Sequence, residues 1–187
     1  MDLNKYTQKS RDIVQDMQRL AYEYHNQTLE QAHLVAALVN QEESMIARLL
    51  AKMELNHEGF IFQANKLVEK LVKVSGGNGQ VYLGDQLNRT LIRAEEEARQ
   101  MGDEYVSVEH LFLALIETAD SDVRQLMKHF AVTRDGFLSA LSTVRGNQRV
   151  TTDNPEATYD SLGKYAEDLV AKARAQKEDP AIGRDDE

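Results

Sequence analysis

The sequence is an internal duplication, and no other feature constrains its fold as much. Shifted by 77 positions, the separation of His33 and His110, it superposes on itself without a gap across two whole helical units. Ala21 then falls on Ala98, His33-Leu34 on His110-Leu111, Ala37-Leu38 on Ala114-Leu115, Ser44 on Ser121, Leu49 on Leu126 and Gly59-Phe60 on Gly136-Phe137. The exchanges between these identities keep apolar character: Val14 with Leu91, Leu29 with Val106, Ile46 with Val123, Leu55 with Val132. Amphipathic helices can match through their shared period alone, but periodicity does not set a histidine and a glycine in common register. The expected architecture is all-α, a four-helix repeat duplicated about a pseudo-twofold axis to give about eight helices.

In the first repeat, about residues 6–72, Ile13, Val14, Met17, Leu20, Ala21 and Tyr24 recur on one helical face. The start of the second helix admits two readings. Thr28-Leu29-Glu30-Gln31 has the form of a capping box, whereas the repeat alignment sets Glu30 opposite Ser107 as the cap position. This helix runs to about Asn40, a third follows from about Ser44, and a fourth runs from about Glu58 to Val72. Ser75-Gly76-Gly77-Asn78-Gly79 cannot hold a helix, because glycine loses too much backbone entropy, so Val74 to Gly84 joins the repeats. The second repeat, about 85–145, copies the first, with Gly102 as a helix stop and Ser107 opening the next helix.

One domain is therefore expected over residues 1–145. Residues 146–158 are polar, include Pro155, and read as a linker with little to bury. Leu162, Tyr165, Ala166, Leu169, Val170 and Ala173 then form one extra helical stripe without a local partner, as if a further domain belonged against it.

Composition removes several function classes. A net charge of -9 argues against a nucleic-acid partner, which needs concentrated Lys and Arg. Apolar stretches no longer than Leu34 to Val39 are far too short to span a bilayer, and the N-terminus has no signal architecture. With no cysteine there are no disulfides, thiol nucleophiles or thiolate metal sites, which fits a cytoplasmic location. No histidine has a second one four residues away, so no metal site is expected. His33 and His110 hold equivalent first-turn positions and read as structural residues of their repeats. Glu95-Glu96-Glu97 reads as a solvated helix face. The glycine-rich connector lacks the lysine and Ser/Thr of a phosphate-binding loop. No catalytic constellation emerges, and this chain is not expected to be an enzyme.

The duplicated unit, the Glu109-His110-Leu111-x-x-Ala114-Leu115 segment and the tail Asp179-Pro180-Ala181-Ile182-Gly183-Arg184 together resemble the amino-terminal region of the Clp family of ATP-driven protein-unfolding machines. Arg145-Gly146 followed by Tyr159-x-x-Leu162-x-x-Tyr165 is most similar to its ClpB disaggregase branch. The resemblance covers essentially the whole chain. It implies a Clp-type N-terminal domain, a linker, and at 159–187 the start of a first AAA+ ATPase domain, with Ile182 and Gly183 at the edge of an adenine pocket.

ATP and Mg would serve the full-length protein, a hexamer; no cofactor is implied for this part alone, which is expected to be a monomer. The partners implied are unfolded or aggregated polypeptide clients, and a co-chaperone of the full-length protein. The polar residues associated with client binding match Thr7, Asp103 and Glu109. Each has a plainer reading: Thr7 as a helix cap, Asp103 as a solvated turn residue, Glu109 as a first-turn carboxylate favoured by the helix dipole. Relatives with an apolar client groove carry aliphatic residues where Arg93 and Glu97 stand here. A second functional reading is an adaptor-docking domain of a Clp-type protease unfoldase.

Overall fold

The computed structural model describes residues 1–76 and 79–155; the extra stripe from Leu162 to Ala173 lies outside them. Among the described residues the chain forms eight α-helices, four in each repeat. They are α1 (Gln8–Glu23), α2 (Gln31–Asn40), α3 (Met45–Lys52) and α4 (His57–Glu69), then α5 (Asp85–Gln100), α6 (Val108–Thr118), α7 (Ser121–His129) and α8 (Arg134–Arg145). Most begin where a short polar side chain accepts a hydrogen bond from an otherwise unpaired backbone N–H. Thr7, Ser44, Asn56, Asp120 and Thr133 do this for α1, α3, α4, α7 and α8. The turns also repeat in register: His25 and Gly102 both take the left-handed conformation after the first helix of their repeat, as do Glu54 and Ala131 before the last.

Burial explains why the two repeats make one body. Every residue of α2 except Asn40 is buried, and α6 is buried from Val108 to Leu115. A helix that is apolar on all sides needs cover on all sides. Within its repeat α2 is covered by α1, α3 and α4, and across the pseudo-twofold by α5 and α6. Aromatic rings close the join: Phe60 packs edge-on against Phe112 and Phe130, and Phe112 against Phe137.

A second tie between the repeats, a small element of strand, is absent from the all-helical expectation. Thr28–Leu29 (β1) pairs in parallel with Tyr82–Leu83 (β2), and Tyr6 bridges Val106 in the same sense. Leu29 and Val106 are repeat equivalents, and so are Leu83 and Tyr6. Each repeat therefore lends the segment before its first helix to the other repeat. The bonds match: Thr7 N–H donates to the Val106 carbonyl at 3.0 Å and Gly84 N–H to the Leu29 carbonyl at 3.0 Å. Two-residue pairings of this kind carry no periodic signal, which is why the sequence pattern does not predict them.

A buried polar pin joins the same elements. The Gln31 side chain, fully buried at the start of α2, donates to Thr90 Oγ1 at 2.9 Å and to the Thr118 carbonyl at 2.8 Å, and accepts from Asp120 N–H at 2.9 Å. All three partners belong to the second repeat.

The closest backbone approach is at Gly84. A Cβ there would lie 2.6 Å from the Leu29 carbonyl oxygen, a main-chain atom that cannot swing away. Gly84→Ala is expected to destabilise the domain by about 1–3 kcal/mol, the usual cost of forcing extra volume into a packed site. Urea unfolding followed by circular dichroism tests this; an unchanged midpoint would show that the exchanged pairing has slack.

Candidate functional site

The three polar residues singled out by resemblance are interior. Thr7 is fully buried, its hydroxyl capping α1 and donating to Ser10 Oγ at 3.0 Å. The side chains of Asp103 and Glu109 are both fully shielded from solvent. Asp103, whose plainer reading is a solvated turn residue, is instead the centre of a network. Its Oδ2 accepts from His110 Nε2–H at 2.7 Å and from Arg145 at 2.9 Å, and its Oδ1 from Arg145 at 2.6 Å and from Val150 N–H at 2.9 Å. Arg145 also donates to Glu109 Oε2 at 3.1 Å, while Glu109 Oε1 is buried without a hydrogen-bond partner. The structure thus brings Asp103 and Glu109 together through an arginine that the sequence reading did not assign to the site.

The duplication supplies an internal control for this network. Asn26, Ala32, His33 and Val68 are the repeat equivalents of Asp103, Glu109, His110 and Arg145. In both repeats the histidine Nδ1 accepts the N–H of the residue before the helix, Glu30 or Ser107, at 2.9 Å. That bond makes Glu30, not Thr28, the cap position of α2, as the repeat alignment proposes. In both, Nε2–H donates across the turn, to Asn26 Oδ1 at 2.8 Å or to Asp103. Around this shared scaffold the first repeat is neutral, with Ala32, Ala36 and Val68 forming a small apolar cluster. The second repeat replaces an amide and two apolar residues by two carboxylates and a guanidinium.

The electrostatics follow from the partners. Burial alone would raise the Asp103 carboxyl, but hydrogen bonds from His110, Arg145 and the Val150 N–H hold it at about 2. In the first repeat, burial pushes His33 down to about 4 from its ordinary 6.5. Its ring is therefore neutral at physiological pH, consistent with an Nδ1 that accepts.

A second charged cluster corrects the reading of Glu95-Glu96-Glu97 as a solvated face. Glu97 is fully buried and receives Arg134 through both oxygens at 2.8 Å, with Arg93 Nε at 2.9 Å. Burial would raise this carboxyl, but the two arginines hold it below the ordinary range. Where the resemblance would place an apolar groove, α5 is joined to the start of α8 by ion pairs.

An open, partly apolar feature lies elsewhere. A cavity of about 560 Å³ sits at the end of α1, lined by residues that include Ala21, Tyr22, His25, Val74 and Val81. Tyr22 is 71% exposed, and Val72, beside the lining residue Lys73, is 81% exposed. Neither was marked by the sequence, because an exposed Tyr or Val carries no motif. Among the described residues no group of three His, Asp or Glu could hold a metal ion, and no helix is long and apolar enough to cross a membrane. Ile182 and Gly183 lie outside the described residues.

Two predictions follow from the paired repeats. Arg145→Met strands two buried carboxylates and should cost about 3–5 kcal/mol in denaturant unfolding. The combined change Asp103→Asn, Glu109→Ala, Arg145→Val writes the first repeat's residues into the second and should recover most of that loss. Additive damage in the triple variant would show that the two sites are not interchangeable. Acid should act first on His33: a group neutral when folded and protonated when unfolded withdraws stability as pH falls from about 6.5 through about 4. Asp103, with its lowered value, contributes in full above 3.8 and loses that contribution as pH falls through about 2. An NMR titration of the His33 ring should find its midpoint near 4; one near 6.5 would mean the ring is open to water.

Comparison with known proteins agrees with this architecture. Residues 5–130 match the family model described as the Clp repeat (R) N-terminal domain. The chain is 42% identical over 190 residues to the chaperone protein ClpB of Bacillus cereus, and 41% identical over 191 residues to that of Nitratidesulfovibrio vulgaris. Each match takes in 100% of this chain and 22% of the relative, so the chain spans under a quarter of those proteins. Among solved structures, the Hsp104 N-terminal domain from Candida albicans has a TM-score of 0.70 at 21% identity, covering 80% of this chain and 97% of that one. The N-terminal domain of ClpV1 from E. coli has a TM-score of 0.66 at 17% identity, covering 82% and 92%. With its duplicated helices and a family match over more than half its length, the chain belongs to the Clp repeat N-terminal domain family.

Proposed function

We propose that this domain is the client-engaging amino-terminal module of a ClpB-type disaggregase, recruiting unfolded or aggregated polypeptide to a hexameric ATPase that threads it. ATP and Mg act in the ATPase and not in residues 1–155. The observation that carries this reading is the open cavity at the end of α1, lined by the exposed Tyr22, with Val72 exposed one residue before the lining Lys73. A small apolar rim on a chain of net charge -9 suits brief contact with apolar stretches of an unfolded chain. Weak contact is what recruitment requires, because a tethered domain raises local client concentration whereas a tight one would oppose release.

Thr7, Asp103 and Glu109 are buried, and on this reading they support the client surface from the interior, Thr7 by capping α1 and the two carboxylates by holding Arg145 and the chain that follows α8. The adaptor-docking reading receives less support: the relatives matched over the whole chain at 42% and 41% carry the ClpB name, whereas the protease-associated ClpD domain of Arabidopsis thaliana is 15% identical.

The test is Tyr22→Ser with Val72→Ser, titrated with unfolded casein and followed by NMR. Both side chains are exposed, so stability should change by about 0.5 kcal/mol or less. Casein-induced shifts should fall several-fold. Shifts that persist at full size would place the client surface elsewhere and defeat this assignment.

A further inference from the structure

The chain does not leave the domain where α8 ends. After a turn at Gly146, whose φ is +57°, residues 148–153 return across the second repeat, where the sequence reading expects linker. Arg145 Nη2 donates to the Gln148 carbonyl at 2.9 Å. Val150 N–H donates to Asp103 and its carbonyl accepts Glu104 N–H at 2.8 Å. The Asp153 carbonyl accepts Gln8 N–H at 2.6 Å, one residue beyond Thr7, and its carboxylate pairs with Arg11 at 3.4 Å. Only Val150 of this segment is buried. Asp103 directly, and Glu109 through Arg145, therefore meet one stretch of chain, which also bonds Gln8, the residue after Thr7.

We propose that residues 148–153 are a releasable strap and that Asp103, Arg145 and Glu109 are its catch. Three observations support this. The strap is held by polar bonds and one valine, so its release uncovers little of the apolar core and leaves α1–α8 packed. The catch carries one unpaired buried atom, Glu109 Oε1, and an unpaired buried carboxylate oxygen costs desolvation that opening to water returns. The first repeat holds its equivalent segment without charge, through Asn26 Nδ2 to the Val72 carbonyl at 3.1 Å and Val74 N–H to the His25 carbonyl at 2.7 Å. The first repeat thus manages without charge, and charge is present where the chain leaves the domain. If the buried Pro155 just beyond the strap also lets go, release adds six residues to the tether, an extra reach of up to about 20 Å for an extended chain. The inference does not rest on the client reading.

Native-state hydrogen exchange on the 187-residue chain decides it. The Val150 and Glu104 amides should exchange through an opening at least about ten times more frequent than the one that exposes α2 and α6. Exchange of all four regions only by global unfolding overturns the proposal. Asp103→Asn then tests the catch, because an asparagine offers one acceptor oxygen where Asp103 uses two. If the oxygen stays with His110, as Asn26 does with His33, Val150 loses its acceptor. Its amide should exchange at least about ten times faster, and trypsin should cut after Arg149 correspondingly sooner. Unchanged Val150 exchange in Asp103→Asn refutes the catch. If that variant does not fold, the same reading is taken from the triple variant carrying the first repeat's residues.

Discussion

Neither central helix can be covered by its own repeat. With α2 buried at every position but its last and α6 buried over its first eight residues, each four-helix unit alone would expose a helix that is apolar on the side facing its twin. Burying a Phe side chain contributes about 1.5–3 kcal/mol, so leaving Phe60 and Phe112, which meet across the join, in water would consume much of the margin of a small domain. The polar joints follow from this constraint. Once the repeats meet, the backbone before each first helix is trapped at the join and must pair, which it does by exchange: Tyr6 with Val106, and Leu83 with Leu29. Gln31 stands at the same join, buried, and is tolerable only because its amide donates and accepts across it.

Buried ion pairs are weak evidence for stability, because desolvation opposes the attraction. The duplication turns that general statement into a local comparison. The same turn, the same histidine cap and the same helix packing exist once with Asn26, Ala32 and Val68 and once with Asp103, Glu109 and Arg145. The neutral version suffices in the first repeat, and on the proposed reading the charged version holds something the first does not. The bonds from Asp103 and Arg145 to the returning chain are the visible difference in what the two versions hold.

Much of this was legible in the sequence, and the misses have physical causes. Helix positions, the Gly102 stop and the structural role of His33 and His110 follow from periodicity and register, which are local properties. Glu97 was misread because a run of three carboxylates looks solvated, and its two arginines lie four residues before it and 37 after it. The burial of Asp103 was missed because a charge after a helix stop is ordinarily at the surface. A signal for it was nonetheless present. At the 77-residue shift, Asn26, Ala32 and Val68 depart together to two acids and one base, and a joint departure with compensating charge is what a contact produces. The returning strap could not be read, because one buried valine in a polar stretch has no period.

The two ends of the duplicated unit have diverged outside as well as inside. Tyr22 and Val72 in the first repeat correspond to Arg99 and Arg149 in the second. At one end, then, a neutral interior sits beneath exposed apolar side chains and an open cavity. At the other, a charged interior sits beneath arginines and a segment of the chain itself. On the proposed reading this divides two tasks that would conflict at a single site. Capturing a client needs apolar surface left uncovered, while anchoring the exit of the chain needs a surface already occupied. Duplication provides two copies of one turn, and charge decides which copy keeps the chain and which stays open.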